Sequence, residues 1–133
     1  MKHKYHEEAI FTFKEKIYYF NDILNALIKI GLKKDDTIIV HSDIMKFGRF
    51  FNFNEPQIIT DIFIDALLKI IGINGTLVMP TYSYSFCNGE VYDLEKSPSK
   101  VGALSNALIR RSDSFRSIHP IFSVCAIGKN AKT

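Results

Sequence analysis

The 133-residue chain has a formal net charge of +3, with 17 Lys and Arg against 14 Asp and Glu. A hydrophobic fraction of 47% and a charged fraction of 23% are those of a globular protein, and the length suits one domain with a real core. The basic residues are spread among acidic ones, which is the pattern of a solvated surface and argues against a nucleic-acid partner.

The first residues, Met1 to Glu8, are charged and lack the apolar core of a signal peptide. His3 and His6 in that stretch read as solvated side chains, not metal ligands. Residues 1–20 read as an N-terminal extension. Asn21 is an N-cap for a helix to about Ile30, with Ile23, Leu24, Leu27 and Ile28 on one stripe and Gly31 ending it. Thr37 to His41 is β-branched and apolar, as in a strand covered on both faces. Ser42, Asp43 and a loop with Gly48 and several phenylalanines follow.

Pro56 marks the first turn of a second helix. Its apolar residues recur at helical spacing from Ile58 to Ile71, and Gly72 ends it. Asp61, Asp65 and Lys69 interrupt that run, so it is amphipathic and not a membrane span. Gly75 turns into a strand, Thr76 to Pro80. A long loop from Thr81 to Ser97 carries Tyr82, Tyr84, Phe86 and Tyr92; loops of this length in compact domains are often functional. A third helix runs from near Pro98 to about Arg111, and a third strand from Phe122 to Ile127. Helices alternating with strands give an α/β fold: a parallel or mixed sheet flanked by helices, three layers in α/β/α order.

Cys87 and Cys125 form neither a Cys-x-x-Cys motif nor a paired zinc spacing. Reduced thiols, no metal and a cytoplasmic setting are expected. Cys125 reads as a core residue and Cys87 as a bystander without a nearby base. No glycine-rich phosphate loop is present, so nucleotide readings lack support.

Ligands of such sheets bind beyond the carboxyl ends of the strands. His41, Ser42 and Asp43 follow the first strand, and Thr81, Tyr82 and Ser83 follow the second. Neighbours in an extended chain point to opposite faces, so His41, Ser42 and Asp43 do not converge as a catalytic triad. Ser42 reads either as a ligand contact or as a strand terminator. Arg116, Ser117 and His119 precede the third strand. They reach the same edge only if that strand runs antiparallel to the others. Pro120 forces His119 into extended geometry. His119 reads either as a general base or as a loop residue that caps local backbone.

Taken in order, Val40-His41-Ser42-Asp43, Gly48, Gly75 to Ser83, Ser97 to Gly102 and Arg116 to Gly128 resemble the aminoglycoside 3-N-acetyltransferase family, from about Asn21 onward. The resemblance implies acetyl transfer from acetyl-CoA to an amine of an amino sugar or aminoglycoside, hence antibiotic resistance. It implies His119 as the base that takes the amine proton. His41, Ser42, Asp43, Arg116, Ser117 and Ser123 would contact the cofactor, and Thr81, Tyr82 and Ser83 the substrate. Asp43 stands where the family has a second serine. Family members are roughly twice this length, so the chain is expected to be the N-terminal portion of the enzyme. The alternative is a non-catalytic binding module, or an inactive fragment that keeps the fold. An unpaired edge or exposed apolar surface on the last strand, with self-association or poor solubility, is expected of the isolated chain.

Overall fold

Seven strands and three α-helices are formed in the computed structural model, which describes residues 8–51 and 54–133. His3 and His6 lie outside the described residues. The strands are β1 (Ala9–Phe13), β2 (Lys16–Tyr19), β3 (Thr37–Ile39), β4 (Arg49–Phe50), β5 (Thr76–Pro80), β6 (Phe115–Arg116) and β7 (Val124–Gly128). The helices are α1 (Phe20–Lys29), α2 (Pro56–Ile71) and α3 (Ala103–Ile109). All three expected strands fall in one four-stranded sheet of order β3-β5-β7-β6. β3 runs parallel to β5, whereas β7 runs antiparallel to both β5 and β6. The sheet is therefore mixed.

Register divides its side chains cleanly. Leu77, Met79, Cys125 and Ile127 project to one face, are almost fully buried, and join the core with residues of all three helices. α2 lies between α1 and α3, so it is apolar nearly all round: Ile59, Ile62, Phe63, Ile64, Ala66, Leu67 and Ile71 are buried.

Residues 9–19, read from sequence as part of an extension, form a hairpin. β1 pairs with β2 and also with β4, making a second sheet of order β2-β1-β4. Its turn residues Lys14 and Glu15 have φ of 48° and 65°, the left-handed pair of a tight hairpin turn. Phe11, Phe47, Phe50 and Phe63 pack together and fix this sheet to α2, with ring centroids 5.1–6.1 Å apart. Gly48 permits the approach: a Cβ there would lie 2.3 Å from the Thr12 carbonyl oxygen.

The helix ends explain two further differences. Asn21 is not the cap of α1. Tyr19 is, and the Asp22 carboxylate accepts its N–H at 2.8 Å. At the other end, Gly31 N–H reaches the Ile28 carbonyl and Leu32 N–H the Leu27 carbonyl, a Schellman closure that the φ of 105° at Gly31 allows. Pro98 does not open α3. Residues 98–102 stay outside the helix, where the Asn106 side chain accepts Ser99 N–H and donates to the Ser99 and Gly102 carbonyls. The third expected strand starts at Val124 and not Phe122. Of the two alternatives expected for it, β7 is not an unpaired edge, since it lies between β5 and β6, but it does expose apolar surface at Val124.

Two glycines with positive φ give a test of packing. At Gly89 a Cβ would meet nothing within 4 Å, whereas at Gly128 it would lie 2.1 Å from the Gly75 carbonyl oxygen. Gly89→Ala should cost about 1 kcal/mol from the left-handed backbone alone. Gly128→Ala should cost about 3 kcal/mol or more, because the β5–β7 ladder must shift. Urea unfolding of both variants checks this; equal losses would refute the close approach.

Candidate functional site at the strand-end edge

The antiparallel course of β7 puts its start beside the carboxyl ends of β3 and β5. Four segments meet there. His41 to Asp43 leave β3 and are exposed. The Thr81 segment leaves β5. The loop before α3 crosses between them: Lys100 N–H donates to the Tyr82 carbonyl at 2.8 Å, and a Cβ on Gly102 would sit 3.5 Å from the Ser42 carbonyl oxygen. The fourth segment is the hairpin loop between β6 and β7, which holds Ser117, His119 and Ser123.

The Thr81 segment docks on that hairpin loop as an irregular continuation of the sheet. Thr81 N–H donates to the Ser123 carbonyl at 2.8 Å, Tyr84 N–H to Ile121 at 3.4 Å, and Phe86 N–H to Pro120 at 3.1 Å. Side chains alternate accordingly. Thr81, Ser83 and Ser85 turn inward and are buried, while Tyr82 and Tyr84 turn outward. Ser123 Oγ donates to the Thr81 carbonyl at 2.7 Å and lies 3.1 Å from Thr81 Oγ1. Ser83 Oγ contacts the Pro120 carbonyl at 3.4 Å and accepts from Ser85 Oγ at 3.0 Å. Thr81, Ser83 and Ser123 are thus at most 1% exposed. Their hydroxyls are engaged inside the fold. Of the three substrate-side residues, Tyr82 alone faces outward. It meets Tyr84 and Phe122 edge to face, with centroids 5.2–6.2 Å apart, forming an aromatic ridge.

Arg116 likewise serves the scaffold. Its guanidinium donates to the Thr81 carbonyl at 2.8 Å, to Leu94 at 3.1 Å, to the Ser97 carbonyl, and through Nε to Ser123 Oγ at 3.3 Å. The Tyr92 ring lies under it at 5.1 Å, and Tyr92 Oη donates to the Ser117 carbonyl at 2.9 Å. One cation thereby ties the end of β5, the 92–97 loop and the start of β7. Ser117 Oγ accepts Val124 N–H at 2.9 Å, closing the hairpin. Backbone N–H groups of Lys96 and Glu95 hold the Asp93 carboxyl below the usual carboxylate range. The turn is therefore favoured above that range and loosens as pH falls through the lowered value.

His119 sits at the exposed tip of the hairpin. Its Nδ1 accepts the N–H of Ile121 at 3.2 Å and of Phe122 at 2.9 Å. An imidazole nitrogen that accepts is unprotonated, so the neutral ring carries its proton on Nε2. In this arrangement His119 offers a donor at Nε2 and caps the turn with its other nitrogen. The second of the two sequence readings, a backbone cap, describes this geometry.

His41 and Ser42 line a groove of about 510 Å³ between the N-terminal hairpin, α1 and the end of β3. Its body is apolar, with Phe11, Tyr18, Leu27 and Phe47 in the wall and Lys46 at the rim. Asp43 faces Lys46 at 3.9 Å in an exposed pair, worth little by itself. Among the described residues no group of three or more His, Cys, Asp or Glu is placed to hold a metal. None of their helices is long and apolar enough to cross a membrane.

An α/β sheet with its motifs gathered at one strand-end edge is the architecture of a ligand-handling domain. The family model for aminoglycoside 3-N-acetyltransferase matches residues 39–133, and the chain belongs to that family. Among solved structures it is similar to aminoglycoside acetyltransferase AAC(3)-Xa, with 27% identity and a TM-score of 0.71 over 84% of this chain and 44% of that one. A variant of AAC(3)-IVa in complex with gentamicin is 27% identical, with a TM-score of 0.69 over 84% of this chain and 40% of that one. AAC-IIIb in binary complex with CoASH shares the fold, with 22% identity and a TM-score of 0.69 over 85% of this chain and 47% of that one. The chain therefore spans less than half the length of these structures. No curated protein matches it.

Two measurements test the scaffold. Ser123→Ala removes a partner from the Thr81 carbonyl and from Arg116, and should cost about 1–3 kcal/mol in urea unfolding; an unchanged midpoint would remove the tie. Burial pushes the Cys125 thiol up, and Cys87 is exposed. A thiol reagent should titrate one cysteine in the native protein and both in denaturant. Two fast-reacting native thiols would contradict this packing.

Proposed function

We propose that the chain forms the strand-end half of an enzyme that transfers an acyl group from acetyl-CoA to an amino group of an amino sugar. Family membership supports the reaction class. The observation that carries the reading is the direction of β7, which brings the His41, Tyr82 and His119 segments to one edge.

The groove beside His41 and Ser42 fits the donor. Its apolar walls suit the methylenes and dimethyl group of a pantetheine arm, and its polar rim suits the amides. Lys46 supplies a positive charge for the phosphates at the rim. When bound, acetyl-CoA supplies the acyl group as a thioester. In this reading Ser42 and the backbone at His41 orient the donor, and Asp43 is offset by Lys46. The ridge of Tyr82, Tyr84 and Phe122 receives the acceptor, because aromatic faces take both the C–H face of a sugar ring and an ammonium group. Arg116, Ser117 and Ser123 position these elements without touching ligand. A cytoplasmic setting belongs to the same reading.

His119 decides between an enzyme and its alternative, a binding module without chemistry. The second reading is favoured by the occupied Nδ1. Asn reproduces that acceptor but lacks the distal nitrogen. If His119 is the base, a folded His119→Asn variant should lose about a hundred-fold or more in turnover. If it is a cap, His119→Asn should keep turnover and melting temperature, while His119→Ala lowers the melting temperature.

Donor binding has its own check. Lys46→Glu should weaken acetyl-CoA binding about ten-fold by calorimetry, since it reverses a rim charge facing phosphates. A folded chain that shows no acetyl-CoA binding, measured alone and with an aminoglycoside, would overturn the proposal.

A further inference from the structure

At the strand-end edge, Arg116, Tyr92 and Ser123 spend their donors on the fold. Arg116 donates to three carbonyls and to Ser123 Oγ, Tyr92 Oη to the Ser117 carbonyl, and Ser123 Oγ to the Thr81 carbonyl. His119 differs. Its Nδ1 accepts two backbone N–H groups, those of Ile121 and Phe122. That lone pair is therefore occupied, and the proton of the neutral ring sits on Nε2. The two ring nitrogens point in divergent directions, so Nε2 is turned away from the loop that Nδ1 closes. His119 is exposed, and Nε2 has no acceptor among the described residues. The imidazole lies 5.9 Å from the Phe122 ring, at 33° to it, and so extends the ridge of Phe122, Tyr82 and Tyr84. A free N–H donor thus borders an aromatic surface.

We propose that His119 is a specificity-determining hydrogen-bond donor, which reads a hydroxyl oxygen of the amino-sugar substrate through Nε2–H at the rim of the aromatic ridge, and that it is not the base for the substrate's amine. The proposal deepens the acetyl-transfer reading and rests on it for the substrate being an amino sugar. The first argument concerns the proton. A base must take one up, yet Nε2 already carries one and Nδ1 faces two N–H donors. Protonating Nδ1 would break both of its bonds and leave the amides of Ile121 and Phe122 unpaired. The second argument concerns what the donor can meet. An N–H group attracts an oxygen lone pair and repels an ammonium. The group at His119 is therefore a hydroxyl, and the ammonium of the same sugar lies farther along the ridge, where an aromatic face takes a cation. An aromatic surface with a donor at its rim is complementary to a sugar ring, which carries an apolar C–H face and hydroxyls together. Because the donor is exposed, losing its partner costs about ten-fold in affinity and no more.

Nitrogen–proton correlation spectra of the chain carrying isotope-labelled histidine read the tautomer with no ligand present, and His119→Asn identifies the signal. His119 should be protonated on Nε2 and bare on Nδ1. The opposite tautomer, or an even mixture of the two, overturns the proposal. Glucosamine is then added as the probe. It should shift the His119 Nε2–H signal, whereas cyclohexylamine, which keeps the ring and the ammonium but has no hydroxyl, should not. Asn keeps the near acceptor and lacks the distal donor, so His119→Asn should hold the melting temperature and weaken glucosamine binding about ten-fold. Gln lacks the near acceptor, so His119→Gln should lower the melting temperature. No shift with glucosamine, an equal shift with cyclohexylamine, or unchanged affinity in His119→Asn overturns the donor role. Glucosamine binding through Nε2–H in a chain that does not bind acetyl-CoA leaves this inference standing while counting against the function proposed above. Acetyl transfer that falls a hundred-fold in His119→Asn at saturating amino sugar does the reverse: the function stands, and His119 is a base.

Discussion

Thr81 and Ser123 are held together three times over: amide to carbonyl at 2.8 Å, Ser123 hydroxyl to Thr81 carbonyl at 2.7 Å, and hydroxyl to hydroxyl at 3.1 Å. All of this happens out of water, where an unmade hydrogen bond is expensive. The contact joins residues 42 positions apart. It fixes where β5 stops being a regular strand, where β7 begins, and that the two run in opposite directions. Arg116 extends the same tie to the 92–97 loop. The exposed aromatic ridge and the capped His119 turn hang on this knot. The polar residues of greatest structural consequence are therefore buried ones.

That arrangement explains what was legible in the sequence. The apolar strands β3, β5 and β7 and the two longest helices announce themselves through their apolar pattern, and the Pro56 and Gly72 boundaries of α2 follow from local stereochemistry. The N-terminal hairpin was hidden because its turn uses Lys14 and Glu15, which carry none of the usual signals for left-handed backbone. The short strands β4 and β6, two residues each, have too little pattern to read and exist only through their partners. Among the site residues, the motif segments were found but the side-chain directions were not. Thr81, Ser83 and Ser123 look like surface hydroxyls in sequence, and only the docking of residues 81–86 against 120–123 turns them inward. Tyr84, read in sequence only as one aromatic of the long loop, and Phe122, read only as a strand residue, complete the ridge with Tyr82. Alternation along the Thr81 segment was the signal available for Tyr84, since it shares a face with Tyr82 two residues away.

The one-sided coverage of the sheet bears on the edge as well. Side chains at a strand end are ordered by what lies on both faces of the sheet beneath them. Here the helical face supplies rigid backing through Leu77, Met79, Cys125 and Ile127, and the knot of Thr81 and Ser123 is part of that side. On the opposite face, Ile39 of β3 is exposed among the described residues. His41 and Ser42 follow directly from β3, on the less supported strand, whereas His119 and Tyr82 stand on the tied β5–β7 pair. The two halves of the edge therefore differ in preorganisation. The ridge and hairpin are set by internal hydrogen bonds, while the His41 to Asp43 segment depends on the groove wall and on whatever contacts the free edge of β3. Binding energy spent on ordering that segment is not available for holding a ligand there.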